Sequence, residues 1–224
     1  MELENIIKKI TEDANDARIN WQDDQDLGHL MDVFIGIAEE IQKQRNKTFE
    51  VLPVQNHIES LIKWGYMISG GIDLTKGILL KGPTGRGKTF LFHVFNYFRR
   101  YHDLSYTHKG KKLSIHLKIV DVREIAGEFQ SSRMGGYDII KKYAAYGCLM
   151  LDDIGAEQEV SSNFGNRVNV VEEIVNIRER LGLLTFGTTN LNRMSERYDD
   201  RTVSRMNSLF NVLVVDHSVD FRLR

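Results

Sequence analysis

The sequence predicts an α/β fold in which the strands of a buried parallel sheet alternate with amphipathic helices. Three observations carry that prediction. Short, almost uniformly apolar runs recur at Gly77–Lys81, His116–Asp121, Gly147–Leu151 and Leu183–Thr188, the pattern of strands covered on both faces. Helical spacing fills the intervals, most plainly at Val170, Ile174, Ile177 and Leu181, as expected where crossover helices join parallel strands. The first of these strands runs directly into a glycine-rich turn at Gly82–Thr89. An apolar helix follows, with Leu91, Phe92, Phe95, Phe98 and Tyr101 as its buried face.

Ahead of that strand the pattern is purely helical. Leu3, Ile6, Ile7 and Ile10 keep an i, i+3, i+4, i+7 spacing, and Leu27, Leu30, Met31, Phe34, Ala38 and Ile41 continue it in a second helix. The polar run Asp23-Asp24-Gln25-Asp26 separates them as a loop and helix start, and the polar stretch Gln42–Lys47 reads as a linker. Two such helices cannot bury both apolar faces alone, so they must dock on the core or on a partner. Residues 1–50 therefore read as a helical, partner-binding extension and 51–224 as one α/β domain, in which a helix near 54–68 leads through Gly70-Gly71 to the first strand.

Composition narrows the function classes. No apolar run is long enough to cross a bilayer, and Met1-Glu2-Leu3-Glu4 lacks the layout of a signal peptide, so a cytoplasmic protein without membrane contact is expected. The single cysteine, Cys148, excludes an internal disulfide framework and a cysteine-rich zinc module, and its apolar surroundings make it a small core residue. Thirty basic residues stand against thirty-one acidic ones. Contact with nucleic acid would have to come from a local patch, because the field of the whole molecule is close to neutral.

The chemistry sits in four motifs. Gly82-Pro83-Thr84-Gly85-Arg86-Gly87-Lys88-Thr89 matches the phosphate-binding loop pattern G-x-x-x-x-G-K-[ST], in the context of a preceding strand and a following helix. Its glycines let backbone N–H groups turn toward phosphate oxygens, Lys88 reaches the terminal phosphates of ATP, and the Thr89 hydroxyl is a Mg²⁺ ligand. Cys148-Leu149-Met150-Leu151-Asp152-Asp153 ends a strand in two carboxylates, where open α/β sheets bind ligands. Asp152 would hold Mg²⁺ and Asp153 would polarise the attacking water; a cap or turn is the plain alternative. Asn190 follows the strand ending at Thr188 and can orient water on a terminal phosphate, although asparagine is also a common turn residue. In Asp200-Arg201-Thr202-Val203-Ser204-Arg205-Met206, the two arginines lie four apart, on one face of a helix. One of them could serve a transferring phosphate, or both could simply bridge Glu196, Asp199 and Asp200 on the surface.

With these motifs in order, the chain resembles the AAA+ ATPases, and within them the bacterial helicase loaders of the DnaC/DnaI type and the related IstB-like transposition ATPases. The resemblance spans about residues 50–215 and rests on G-P-T-G-R-G-K-T, on L-M-L-D-D-I-G-A-E through Glu157, on T-T-N-L at 188–191 and on D-R-T-V-S-R-M at 200–206. It implies a five-stranded parallel sheet, oligomerisation around ATP and Mg²⁺, single-stranded DNA binding and a replicative helicase as partner. It makes Arg205 a finger inserted into a neighbouring subunit's site, with Arg201 supporting that interface. Little room is left after Val214 for a helical C-terminal lid, and residues 1–50 match no pattern of the group.

The leading reading is thus an ATP-hydrolysing helicase loader. A transposition helper that binds duplex DNA and a transposase shares every core motif. A nucleotide-gated adaptor with little turnover is a third reading, because Asp153 is shorter than the glutamate more often found at that position. Two segments are candidates for DNA contact. One is the basic loop Lys109, Lys111 and Lys112 beside Tyr106 and His108. The other is Arg133-Met134-Gly135-Gly136-Tyr137 with Lys141 and Lys142.

Overall fold

The computed structural model describes residues 3–15, 24–66, 71, 73–131, 135–217 and 219–221. Its helices in chain order are α1 (Leu3–Asn15), α2 (Asp24–Lys43), α3 (Gln55–Gly65), α4 (Lys88–Tyr101), α5 (Val122–Gln130), α6 (Tyr137–Ala144), α7 (Val170–Leu181) and α8 (Asp200–Leu209). Its strands are β1 (Gly77–Lys81), β2 (Ser105–His108), β3 (Lys111–Ser114), β4 (Leu117–Asp121), β5 (Cys148–Ile154), β6 (Ser161–Asn163), β7 (Asn166–Val168), β8 (Thr185–Thr189) and β9 (Phe210–Val214). The chain clusters into two compact units, residues 1–72 with 85–115 and 217–224, and residues 73–84 with 116–216. The division falls inside the glycine-rich loop, between Thr84 and Gly85. Of the positions singled out from sequence, Met1, Glu2, Asp23, Gly70, Arg133, Met134 and the side chains of Ile10, Asp24, Gln25, Asp26 and Tyr101 lie outside the described residues.

The second unit is built on a five-stranded sheet of order β4-β5-β8-β1-β9, with every neighbouring pair parallel. It is the sheet the sequence predicts, completed by the fifth strand that the resemblance implies. β1 coincides with its predicted span, whereas His116, Gly147, Leu183 and Leu184 fall outside their strands and β5 runs on to Ile154. Every residue of β8 is buried and only Lys81 of β1 is not, as central parallel strands require, while β9 at the edge alternates. Leu79, Val120, Leu149 and Leu151 share the core with Phe129, Tyr143, Ile174 and Met206 from the flanking helices. Among the described residues, three helices carry side-chain caps. Asp121 accepts from the Arg123 amide, Asn169 from those of Val171 and Glu172, and Asp199 from that of Thr202. Gly182, at φ +65°, ends α7 in the left-handed conformation.

Arg178 is the largest polar side chain fully buried among the described residues. Arg178 of α7 donates from Nε to Thr185 Oγ1 at 2.9 Å, and from Nη1 to the carbonyls of Ala144 (2.9 Å) and Tyr146 (2.6 Å). Its Nη2 reaches the Leu184 carbonyl at 2.6 Å and the Gly147 carbonyl at 3.5 Å. The guanidinium thereby ties the end of α6 to the chain entering β5 and β8.

The first unit is helical, with the hairpin β2–β3 appended. α2 packs against α1, α3 and α4, and Phe34 meets Phe98 at 5.6 Å between ring centroids. Leu30, Phe34, Ile37, Leu91, Phe95 and Phe98 are buried, which is where the apolar faces of the N-terminal helices go. The segment expected to be a basic loop is instead the antiparallel hairpin of β2 and β3, turning at Lys109 and Gly110 with φ of +48° and +75°. Tyr106 is buried beneath it, so the aromatic expected to stack on a nucleic-acid base is not on the surface. Cys148, in the second unit, is buried as expected.

Against α4, the Tyr66 hydroxyl lies 2.7 Å from His102 Nδ1, and the His102 ring stacks on Phe98 at 4.4 Å. Burial pushes the His102 pKa down to about 4, with the His29 charge a smaller cause. The folded chain thus prefers the neutral ring, and a protonated one would carry a donor at Nε2 that has no partner among the described residues. The unfolded chain takes up this proton from about pH 6.5 downward. The contribution of His102 is therefore complete above that pH and is lost as the pH falls toward 4. Discounted for partial exposure, it is worth about 1–2 kcal/mol. Urea unfolding at pH 7 and pH 4.5 checks it: His102→Gln should lose about that much less stability on acidification than the unaltered chain, and equal losses would contradict it.

Candidate functional site

The glycine-rich loop begins where β1 ends. The Gly82 amide donates to the Thr189 carbonyl at 3.1 Å, so the loop leaves the sheet beside the end of β8. Gly85 and Gly87 hold φ of +83° and +80°, where a side chain would strain the backbone, and Gly87 is the N-cap of α4. Lys88 at the first turn of α4 is only 5% exposed. What lies against this part of the loop is not foreshadowed by the sequence. The Phe221 amide donates to the Gly85 carbonyl at 2.9 Å, and the Asp220 carboxylate fills the space a Gly85 side chain would need. A carboxylate there opposes an incoming phosphate. Asp220→Asn should raise affinity for a nucleoside triphosphate a few-fold, read by titration with a fluorescent analogue; unchanged or weaker binding would contradict this.

In the second unit the acids gather at the C-terminal edge of the sheet. The register between β5 and β8 shifts between Leu151 and Ile154, so β5 bulges at Asp152 and Asp153. Asp153 adopts φ +57°, a left-handed conformation rare for a residue with a side chain. Thr188 holds the bulge from β8: its hydroxyl donates to Asp152 Oδ1 at 2.6 Å and accepts from the Asp153 amide at 2.8 Å. Asn190 Nδ2 lies 3.4 Å from Asp153 Oδ1. On the other side, Asp121 of β4 stands in register with Asp152, and Arg123 grips the Asp121 carboxylate through Nε and Nη2. The Arg123 side chain holds the Asp121 carboxyl below the usual carboxylate range, and Arg123 Nη2 lies 3.6 Å from Asp153 Oδ2. Asp152, Asp153 and Asn190 thus stand together, with Asp121, Arg123 and Thr188 around them.

No protein-family model matches the sequence, and no curated protein does. Among solved structures, DnaI superposes over 99% of this chain and 100% of its own, with a TM-score of 0.53 and 19% identity. The DnaC helicase loader matches 71% of this chain and 89% of its own, with a TM-score of 0.50 and 20% identity. The replication initiator DnaA, bound to AMPPCP and single-stranded DNA, matches 75% of this chain over about half of its own (48%), with a TM-score of 0.51 and 15% identity. The chain has the AAA+ fold. At these identities the likeness speaks for the fold alone.

The arginine helix of this AAA+ fold separates its two arginines. Arg201 is exposed, whereas Arg205 is half-buried and donates from Nη1 to Asn176 Oδ1 on α7 at 2.6 Å. Glu157 is buried behind the acid pair, where its carboxylate accepts from the Tyr198 hydroxyl (2.7 Å) and the Gly155 amide (2.9 Å). Its backbone carbonyl accepts from Arg197 Nη2. That network links the turn after β5 to the segment entering α8. The second candidate DNA segment is charged but internally paired: Lys141 meets Asp138 at 3.3 Å and Lys142 meets Glu128 at 2.9 Å. Among the described residues no helix is long and apolar enough to cross a membrane.

Proposed function

We propose that this chain is an ATP-binding and ATP-hydrolysing replication accessory protein that loads a replicative helicase onto single-stranded DNA. The observation that carries the reading is the clustering of Asp152, Asp153, Thr188 and Asn190 at the sheet edge from which β1 delivers Gly82 into the phosphate-loop pattern. The names of the DnaC helicase loader and of DnaA bound to single-stranded DNA support the choice of process.

Among the described residues no group of three or more His, Cys, Asp or Glu side chains could hold a metal by itself. One hydroxyl and one carboxylate, those of Thr89 and Asp152, are donors that suit Mg²⁺, which keeps several waters and takes one or two protein ligands together with phosphate oxygens. Thr89 and Asp152 would hold it, and when bound with ATP it neutralises charge on the phosphates. Backbone amides of Gly82–Thr89 and the Lys88 ammonium bind the phosphates. Thr188 orients the Asp152 carboxylate through its 2.6 Å hydrogen bond. Asp153 polarises the attacking water and Asn190 positions it; Asp153 becomes available for that role when its carboxylate leaves Arg123. Arg205 acts in a neighbouring subunit once released from Asn176, with Arg201 at the same interface, so a lone subunit hydrolyses slowly. Residues 1–50 are the segment we assign to the partner protein, in a chain that works in the cytoplasm.

The test is ATP hydrolysis with single-stranded DNA, with duplex DNA and without DNA, beside Arg205→Ala. Stimulation by single strands that Arg205→Ala removes is the expected result. Stimulation by duplex alone would transfer the assignment to a transposition helper partnered with a transposase. Tight ATP binding without turnover under any condition would make the chain a nucleotide-gated adaptor.

A further inference from the structure

Glu157 follows β5 by three residues and is only 4% exposed, a place where a carboxylate has to be fully partnered. Among the described residues three groups donate hydrogen bonds to it. Its Oε2 accepts from the Gly155 amide at 2.9 Å, and its Oε1 from the Tyr198 hydroxyl at 2.7 Å and from Asn169 Nδ2 at 3.4 Å. Arg197 Nε stands farther off, at 3.9 Å. Each donor belongs to a different part of the second unit. Gly155 lies in the turn whose Ala156 amide donates to the Asp153 carbonyl at 2.9 Å, so that turn is fixed to the acid pair. Asn169 caps α7, the helix on which Asn176 holds Arg205. Tyr198 precedes Asp199, the cap of α8, and that helix carries Arg201 and Arg205. Burial first, and then the Glu157 charge, pushes the Tyr198 hydroxyl well above its usual range and keeps it a donor. Pulling a buried carboxylate away from any one of its donors is strongly unfavourable, so the elements bonded to it keep their spacing.

We propose that Glu157 is a positioning residue that fixes the arginines a subunit offers its neighbour relative to the acid pair it keeps for itself. The inference rests on the between-subunit reading of Arg205 and deepens it. Every subunit in such an assembly both receives an arginine and gives one, so the spacing between its acid pair and its α8 has to hold to about 0.5 Å. Glu157 sets that spacing: one oxygen grips the turn beyond the acids, and the other grips the residue that leads into α8. Arg205 then leaves Asn176 as a side-chain movement on a helix whose start stays anchored. Glu157 does this without touching nucleotide or water, and it acts through Tyr198.

The experiment is complementation between full chains whose defects differ. Arg205→Ala keeps its acid pair and lacks the arginine, whereas Asp153→Asn keeps the arginine and lacks the water-polarising acid. Each alone should turn over ATP slowly, and mixing them should restore hydrolysis at sites where the first meets the second. Adding Glu157→Gln to the Asp153→Asn chain should cut the restored rate about 10-fold. The site of that chain is already silent, so the loss can only come through α8. Tyr198→Phe in the same chain, which keeps the ring and removes the donor, should lower the restored rate several-fold. ATP affinity and Tm of each altered chain, measured beside the rate, separate positioning from misfolding; should Glu157→Gln not fold, Tyr198→Phe decides the matter. A restored rate that either substitution leaves unchanged in a folded chain would overturn the inference and leave the between-subunit reading standing. A loss that comes only with weakened ATP binding by the altered chain would also overturn it. No restoration on mixing Arg205→Ala with Asp153→Asn would overturn the between-subunit reading, and the inference with it.

Discussion

Lys88→Ala should leave the chain folded and remove ATP turnover. Lys88 stands at the first helical residue after Gly87, 5% exposed, where an ammonium is both close to the phosphate loop and shielded from water. In such surroundings a charge interacts with a phosphoryl group more strongly than it would in bulk solvent. Losing it removes stabilisation of the charge that develops on the terminal phosphates, for which about 10²–10³-fold in rate is the usual scale of a single preorganised donor. Phosphate release measured at saturating ATP, beside thermal unfolding of the same sample, separates this from misfolding. A variant with ordinary turnover would show that the loop does not hold the reacting phosphates.

Arg178→Ala should produce the largest loss of stability of any substitution considered for this chain. The guanidinium is fully buried and is satisfied by one hydroxyl and four carbonyl oxygens, of Ala144, Tyr146, Gly147 and Leu184. Truncation opens a cavity and strips hydrogen bonds from four carbonyls, of which those of Ala144 and Leu184 are bonded in the buried interior. Together these effects are worth about 3–5 kcal/mol. The corresponding fall in Tm is on the order of 10 °C for a chain of this size. Because Arg178 contacts the chain entering β5 and β8 and not the acid-bearing ends of those strands, ATP affinity measured well below Tm should be nearly unchanged. A stable variant would mean that the carbonyls find other partners, and weakened ATP binding in a folded one would assign Arg178 a role at the site.

What could be read from sequence follows from which signals are local. β1 and its glycine loop were legible because an unbroken apolar run and a fixed spacing of glycines need no tertiary context. The acid pair was legible as strand-terminal carboxylates, but not its geometry, because the bulge and the +57° φ of Asp153 depend on register against β8. Thr188, in sequence only the first residue of T-T-N-L, acts on a carboxylate of the neighbouring strand, and Arg123 joins the Asp121 just before it to Asp153 of β5, contacts that need the sheet to be seen. β9 was invisible in its own residues, since Phe210 follows α8 without a turn and the strand alternates at the sheet edge. The hairpin of β2 and β3 did leave a signal. Lys109-Gly110 can supply the two positive φ values of a tight turn, but the lysines around it drew the reading toward a solvated basic loop. Arg178 sits in a polar stretch of helical sequence, where nothing distinguishes a buried polar side chain from an exposed one.

The central claim is that the site is completed between subunits of an ATP-hydrolysing assembly, and the most direct test is the rate of ATP hydrolysis per subunit as protein concentration rises. The account predicts a specific activity that climbs with concentration and levels off as subunits associate, with Arg205→Ala flat and low throughout. A specific activity that stays constant over the whole range, with Arg205→Ala as active as the unaltered chain, would contradict it.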